Sequence, residues 1–339
     1  MEIKENISLK KHNTFGVDVK ARYFVELNST SDIINFVVSR RMQSHAVFIL
    51  NGGSNVLFTR DFEGMVLKIN NRGFDVIAQT KSSALIRVNA GHDWDEFVMY
   101  ALSQGFFGFE NLSMIPGNVG AAPMQNIGAD GIEQESRFHH LEAIDIRSGE
   151  IKEFDHEACK FAYRSSVFKT ELKGKYIILR VFYQLSKKPD TKVEYGAIRS
   201  QLAELGIERN YTPAMVAQAV RTIRSQKLPD PSELGNAGSF FKNPVVNSEK
   251  YYALKKDYPD ISAYPTGDEN YKIAAGWLID YLGWKGHREG DAGVCKTQAL
   301  VLVNYGKATG SEMLNLAREI QKSVQQKFGI ALEMEVNII

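Results

Sequence analysis

The parts of this sequence able to do chemistry are two glycine-rich segments, an arginine beside a tyrosine, and a serine ahead of two aromatics and a lysine. Asn51-Gly52-Gly53-Ser54-Asn55 follows directly on an apolar run, Ala46 to Leu50. Its glycines let a ligand approach the backbone closely, and successive N–H groups can form a concave anion site. Ser54 and the two asparagines add hydroxyl and amide donors for phosphate oxygens. The same residues are also good hairpin-turn chemistry, and this segment alone does not separate the two readings. Residues 115–131, IPGNVGAAPMQNIGADG, repeat the theme with Pro116, Gly117, Gly120, Asn126 and Gly128 among small neighbours. So little side-chain bulk suits a backbone wrapped around a ligand. Neither GxGxxG nor GxxxxGK[ST] occurs in the chain. A plain structural loop is the alternative, but two such loops in one half of the chain point to a dinucleotide site.

Tyr163-Arg164 is a surface ion-pair partner on the plain reading; on the chemical one, a fixed guanidinium stabilises negative charge developing on a substrate. Gly235 to Pro244, GNAGSFFKNP, is not a hydrolase elbow, because GxSxG is absent. Ser239 there reads as a proton donor or a ligand-binding hydroxyl, with helix capping as the structural alternative. Near the C-terminus, Lys285 and Lys296 sit among glycines and could hold a diphosphate, against the default of scattered surface lysines. Glu333 and Glu335 alternate with apolar residues, so both belong to one face of a closing strand; a buried carboxylate there is a candidate acid or charge partner. His139 and His140 lack further ligands at metal spacing and read as strand-surface residues; no metal site is expected.

The elements that must position these residues follow from pattern and punctuation. Strands are expected at Tyr23 to Leu27, Ala46 to Leu50, Val66 to Asn70, Ala84 to Ala90 and Tyr176 to Leu185, with a hairpin over 141–154 turning at Ser148-Gly149. Ser31 is placed to cap a short helix carrying Ile33, Ile34, Val37 and Val38. Asp93 and Glu96 look like a capping box for a helix that Gly105 stops. Beyond a linker near Lys187-Lys188-Pro189-Asp190, helices are expected from Thr212-Pro213 to before Pro229, from Ala274 to Leu282 and from Ser311 to Phe328. A strand at Ala299 to Asn304 and a closing strand at Leu332 to Ile339 complete the set. Strands and helices mixed in this way indicate an α+β protein.

Bulk properties narrow the field further. The 339 residues suggest two or three domains. A net charge of +1 gives no global field for nucleic acid or an anionic membrane, so an anionic substrate needs a local cluster of positive groups. The opening residues lack the apolar core of a signal peptide, and no stretch approaches the roughly 20 apolar residues of a membrane span. Cys159 and Cys295 stand far apart with no CxxC, which fits a reduced, cytoplasmic setting.

Taken in order, HNTFGV (12–17), NGGSNVL (51–57), IPGNVGAAPMQNIGADG (115–131), FAYRSSVFK (161–169), KLPDP (227–231), GNAGSFFKNP (235–244), QALVLVN (298–304) and LEMEV (332–336) resemble the UDP-N-acetylenolpyruvoylglucosamine reductases, also called UDP-N-acetylmuramate dehydrogenases. The resemblance runs over nearly the whole chain. It implies the FAD-binding fold of the vanillyl-alcohol-oxidase (PCMH) type with an additional α+β substrate-binding domain. The divisions expected are 1–66 for the first FAD subdomain, joined by 331–339, then 67–210 for the second and 211–330 for substrate. It implies non-covalent FAD held by residues 51–55, Pro116, Gly117, Gly120, Asn126 and Gly128. NADPH acts as co-substrate, and a UDP-linked enol ether receives hydride and then a proton. Arg164 matches the residue that stabilises the enolate, Glu335 its acidic partner, and Ser239 the proton donor, with Lys242 close enough to assist. Tyr195 matches the tyrosine that covers substrate in the longer form of the family. Tyr264 and Lys285 match diphosphate contacts, and Lys227, Asn243 and Gln298 match other pocket positions. Asp130 stands where some relatives carry an aromatic, and no substrate role is given to it. The expected state is a cytoplasmic monomer binding neither nucleic acid nor membrane. The rival readings are a sugar or lactone oxidase of the same fold and a non-catalytic UDP-sugar or flavin sensor.

Overall fold

A computed structural model describes all residues except 43, 44, 196 and 268. The chain forms two compact units. The first comprises residues 1–7, 21–53 and 63–225, and the second residues 8–20, 54–62 and 226–339.

In the first unit a four-stranded sheet runs in the order Lys4–Ser8, Lys20–Leu27, Phe62–Ile69, Val47–Leu50, the last two parallel with Val47 opposite Met65. A five-stranded antiparallel sheet runs Ile151–Asp155, Phe138–Asp145, Tyr176–Ser186, Ser83–Asn89, Phe74–Gln79. Tyr176–Ser186 lies at its centre and is buried at seven of its eleven positions, which is why its apolar run to Leu185 is broken only by Arg180 and Gln184. Ser83–Asn89 buries every second residue, the alternation of a sheet packed on one face. Helix Trp94–Ser103 presents Trp94, Phe97, Val98 and Ala101 to the core, and Asp93 caps it by accepting from the Glu96 N–H. The cap of helix Thr30–Val38 is Ser29, not Ser31; its hydroxyl accepts from the Asp32 N–H. Two serines stood within one turn of the same apolar stripe, and the earlier one has the extended backbone a cap requires. Helices Ile198–Glu204 and Pro213–Lys227 bury Ile198, Leu202, Val216, Ala219 and Val220 together with Val193.

The second unit carries an antiparallel sheet ordered Gly235–Ser239, Val301–Asn304, Ala292–Val294, Arg288–Glu289. A smaller one is ordered Val245–Asn247, Asn270–Ile273, Ala263–Gly267. Helix Gly310–Phe328 buries Met313, Leu316, Ala317, Ile320, Val324 and Phe328 at helical spacing, starts with a Thr309/Glu312 capping box and ends on left-handed Gly329. The closing strand is shorter than its alternation suggests: only Asn337–Ile338 forms a ladder, parallel to Val56–Leu57. Residues 332–336 instead make irregular backbone bonds, Lys242 N–H to the Glu333 carbonyl at 2.9 Å and Glu335 N–H to the Phe240 carbonyl at 2.8 Å. Among the described residues no helix is long and apolar enough to cross a membrane.

Candidate functional site

Residues that carry chemistry are present in both units. In the first, the two glycine segments meet. A Cβ on Gly52 would lie 2.8 Å from the Gly117 Cα and 3.1 Å from the Asn118 Oδ1, so the loops touch only because position 52 has no side chain. The second loop is fixed from behind: Gly120 N–H donates to the Ala90 carbonyl at 2.8 Å, and Val119 N–H to the His92 carbonyl at 2.9 Å. Asp95 accepts from the Met114 N–H at 2.6 Å just ahead of the loop and forms an ion pair with Arg221 at 2.6 Å, tying helix Trp94–Ser103 to helix Pro213–Lys227. Oδ1 of Asn51 and of Asn118 are buried without a hydrogen-bond partner among the described residues. Buried carbonyl oxygens left this way are uncommon and mark a place for a ligand's N–H or O–H. A close loop contact beside two unpaired amide oxygens fits a dinucleotide, and residues of 51–53 and 116–128 could hold it. Ser54 and Asn55 belong to the second unit, where the Asn55 amide donates to the Glu335 carbonyl at 3.4 Å.

Lys68 is a residue the sequence did not flag. Its ammonium donates to the Asn51 carbonyl, and burial pulls its pKa down, partly offset by Glu26. Nothing in FEGMVLKI distinguishes this lysine from a solvated strand residue, because only the tertiary fold brings it beneath the first loop.

Arg164 is no surface ion-pair residue. Its side chain is 17% exposed and its backbone is left-handed at φ +53°. The guanidinium donates to the Gly128 carbonyl at 2.5 Å, lies 3.7 Å from the Glu133 carboxylate and sits 5.0 Å from the Tyr163 ring centre. Glu133 is in turn held by the Asn126 amide at 3.0 Å, which also donates to Glu135 at 2.8 Å. Asn126, fully buried, therefore organises the short ladder Gly128–Ala129 with Ile132–Glu133. Asp130, at that hairpin's tip, and Asp95 both support the charge of Arg224, whose pKa burial lowers. This supplies a structural account of an acidic residue at that position. Tyr195 packs on the same hairpin: a Cβ on Gly131 would lie 3.0 Å from the Tyr195 Cβ.

In the second unit, Ser239 ends strand Gly235–Ser239, exposed and opposite Val301 after an irregularity in the register; it caps no helix. The Phe240 carbonyl that follows it accepts the Glu335 N–H, so backbone geometry brings the segments of Ser239 and Glu335 side by side. The Lys242 ammonium is paired with Glu333. Asn243 and Gln298 meet the start of helix Ala275–Tyr281. The Asn243 Oδ1 accepts the Ala275 N–H at 2.9 Å, and a Cβ on Gly276 would lie 3.1 Å from the Gln298 Oε1. Tyr264 stands half-exposed on strand Ala263–Gly267, and Lys285 is paired with Asp280. Lys227 closes helix Pro213–Lys227, its carbonyl accepting from the Thr297 hydroxyl at 2.8 Å. The HNTFGV segment is explained by Asn13, which bonds the Leu9 and Val17 carbonyls at 2.8 and 3.0 Å. This sets the loop so that Thr14 and Phe15 carbonyls receive the Asn236 N–H and the Asn304 amide. The adjacent His139 and His140 are not simply solvated: His140 stacks on Phe182 at 3.9 Å and burial lowers its pKa.

Residues 21–155 match the family described as FAD binding domain, which together with the glycine cradle makes this a flavoprotein oxidoreductase fold. Residues 230–339 match the C-terminal domain of UDP-N-acetylenolpyruvoylglucosamine reductase. Curated reductases of that name from Pseudomonas savastanoi pv. phaseolicola and Chromobacterium violaceum are 47% and 44% identical, each over 100% of this chain and 99% of theirs. One from Pseudomonas fluorescens is 48% identical over 99% of both. The crystal structure of the Thermus caldophilus enzyme superimposes with a TM-score of 0.69 over 100% of this chain and 99% of its own, at 22% identity. The chain belongs to the UDP-N-acetylenolpyruvoylglucosamine reductase family.

Proposed function

We propose that this chain reduces UDP-N-acetylenolpyruvoylglucosamine to UDP-N-acetylmuramate, a peptidoglycan precursor, using FAD and NADPH. End-to-end similarity to reductases of that name carries the reading. Bound FAD supplies a hydride acceptor and donor between NADPH and the enol ether. The chain's own residues do the rest. The partly buried Arg164 guanidinium, held by the Gly128 carbonyl and Glu133, meets the enolate charge without having to reorganise. Ser239, exposed at its strand end, gives its hydroxyl proton to the α-carbon; a serine is a weak acid, so the step requires a basic enolate at contact distance. Glu335 serves as the acidic partner on the neighbouring segment. Tyr195 covers the sugar nucleotide, Tyr264 and Lys285 take the diphosphate, and Lys227, Asn243 and Gln298 complete the pocket. We place the reaction in the cytoplasm, where UDP-linked precursors are made.

The test is steady-state NADPH consumption with and without UDP-N-acetylenolpyruvoylglucosamine, the product's mass being read in parallel. Oxidation that requires this substrate, with two hydrogens gained per product, is expected. Equal oxidation without it, driven by oxygen, would replace the reading by that of an oxidase.

A further inference from the structure

Asn111 is 2% exposed, yet its amide reaches two segments distant in sequence. It donates to the Asp130 carbonyl at 3.1 Å and to the Lys192 carbonyl at 2.9 Å. The first lies at the tip of the Gly128–Ala129/Ile132–Glu133 hairpin, whose Gly128 carbonyl also receives Arg164. The second lies three residues before Tyr195, between strand Tyr176–Ser186 and helix Ile198–Glu204, where the described residues form no strand or helix. Across the same gap, left-handed Gly131 at φ +82° packs its Cα face against Tyr195.

We infer that Asn111 is a positioning residue that fastens the Tyr195 segment to the hairpin bearing on Arg164, so that substrate cover and charge-stabilising group share one platform. The inference rests on the reading of Tyr195 as the residue that covers the sugar nucleotide. A short amide suits the task because its two donors diverge from one planar group and satisfy two separate carbonyls at once. Among the described residues of 188–197 no strand or helix forms, and Val193, 3% exposed, is an apolar anchor. The bond to the Lys192 carbonyl ties the backbone down three residues ahead of Tyr195.

The experiment uses FAD-loaded full-length protein carrying Asn111→Ala, Tyr195→Ala or both. Hydrogen exchange and the KM for UDP-N-acetylenolpyruvoylglucosamine are measured for each. For Asn111→Ala, amides of 190–195 and of 128–133 exchange faster, and KM rises about tenfold. In the Tyr195→Ala background the same change adds nothing to KM. Multiplicative effects in the double variant, or unchanged exchange over 190–195, would overturn the inference. A Tyr195→Ala protein with normal KM would instead remove the reading of Tyr195, whatever the exchange data show for the clamp. Gly131→Ala is the second probe should Asn111→Ala not fold. It displaces Tyr195 from the opposite side, and it should raise KM in the native background and not in Tyr195→Ala; an unchanged KM in the native background counts against the shared platform.

Discussion

Replacing Gly52 by alanine tests whether contact between the two glycine loops shapes the FAD cradle. The added Cβ would sit 2.8 Å from a backbone atom, the Gly117 Cα, and 3.1 Å from the Asn118 Oδ1. Ordinary carbon contacts are about 3.5 to 4.0 Å, so the loops must separate by close to an ångström. Gly117 is itself held at φ +123° and its carbonyl accepts the Trp94 N–H at 3.0 Å, so it cannot simply turn away. Overpacking of this kind costs about 1–3 kcal/mol, which corresponds to roughly 5- to 150-fold in an equilibrium constant. Titrating apoprotein with FAD, followed by flavin fluorescence, should show affinity weakened within that range. Gly206→Ala is the control: it has φ +75° with nothing within 4 Å of its Cβ, so it costs stability through backbone strain and leaves FAD affinity unchanged. A Gly52→Ala protein with native FAD affinity and melting temperature would refute the reasoning, because the close approach would then have no energetic content.

Other expectations are more local. Ser239→Ala should leave flavin reduction by NADPH within about twofold and slow reoxidation by the enol ether by about 10²-fold or more, read by stopped-flow absorbance; equal loss in both halves would remove the proton-donor role. Lys285→Ala should raise the KM for the UDP-substrate about tenfold with little change in kcat, since a charge-assisted phosphate contact is lost; an unchanged KM would count against the diphosphate assignment. Burial pushes the Cys159 thiol up to about 12 from an ordinary 9.0. The folded state thus keeps its proton while the unfolded chain loses it, and this contribution is complete below pH 9.0 and is lost as pH rises toward 12. Cys159 should therefore resist thiol reagents at pH 8 until the protein unfolds, while rapid labelling of folded protein would show that the thiol is accessible.

Much of the fold was legible where local chemistry and periodicity agreed. Helix Gly310–Phe328 announced itself through a clean apolar stripe, and the hairpin at Ser148-Gly149 through its turn residues. The closing strand was overread because the alternation in LEMEV sets which face each side chain takes, not how many ladder bonds its neighbours accept. In the candidate site, Gly52 and Gly117 were visible as loop residues, but their contact is a property of distant segments that no local pattern encodes. The bonds that make asparagines 13, 111 and 126 organising residues were hidden for a related reason, although Asn126 itself was visible as a loop residue. A buried asparagine that satisfies distant carbonyls looks, in sequence, like any loop residue. Lys68 was missed likewise, since its strand gives no hint of the carbonyl it meets. The pairing of Lys242 with Glu333, ninety-one residues on in the chain, was equally invisible to local pattern.

The central claim is tested most directly by an anaerobic two-step titration. Purified holoprotein is reduced with NADPH while its visible spectrum is followed, and UDP-N-acetylenolpyruvoylglucosamine is then added without oxygen. The account predicts a yellow protein that bleaches with NADPH and regains its colour in proportion to the enol ether supplied. Colour that returns only with oxygen, or a protein that binds no FAD, would contradict it.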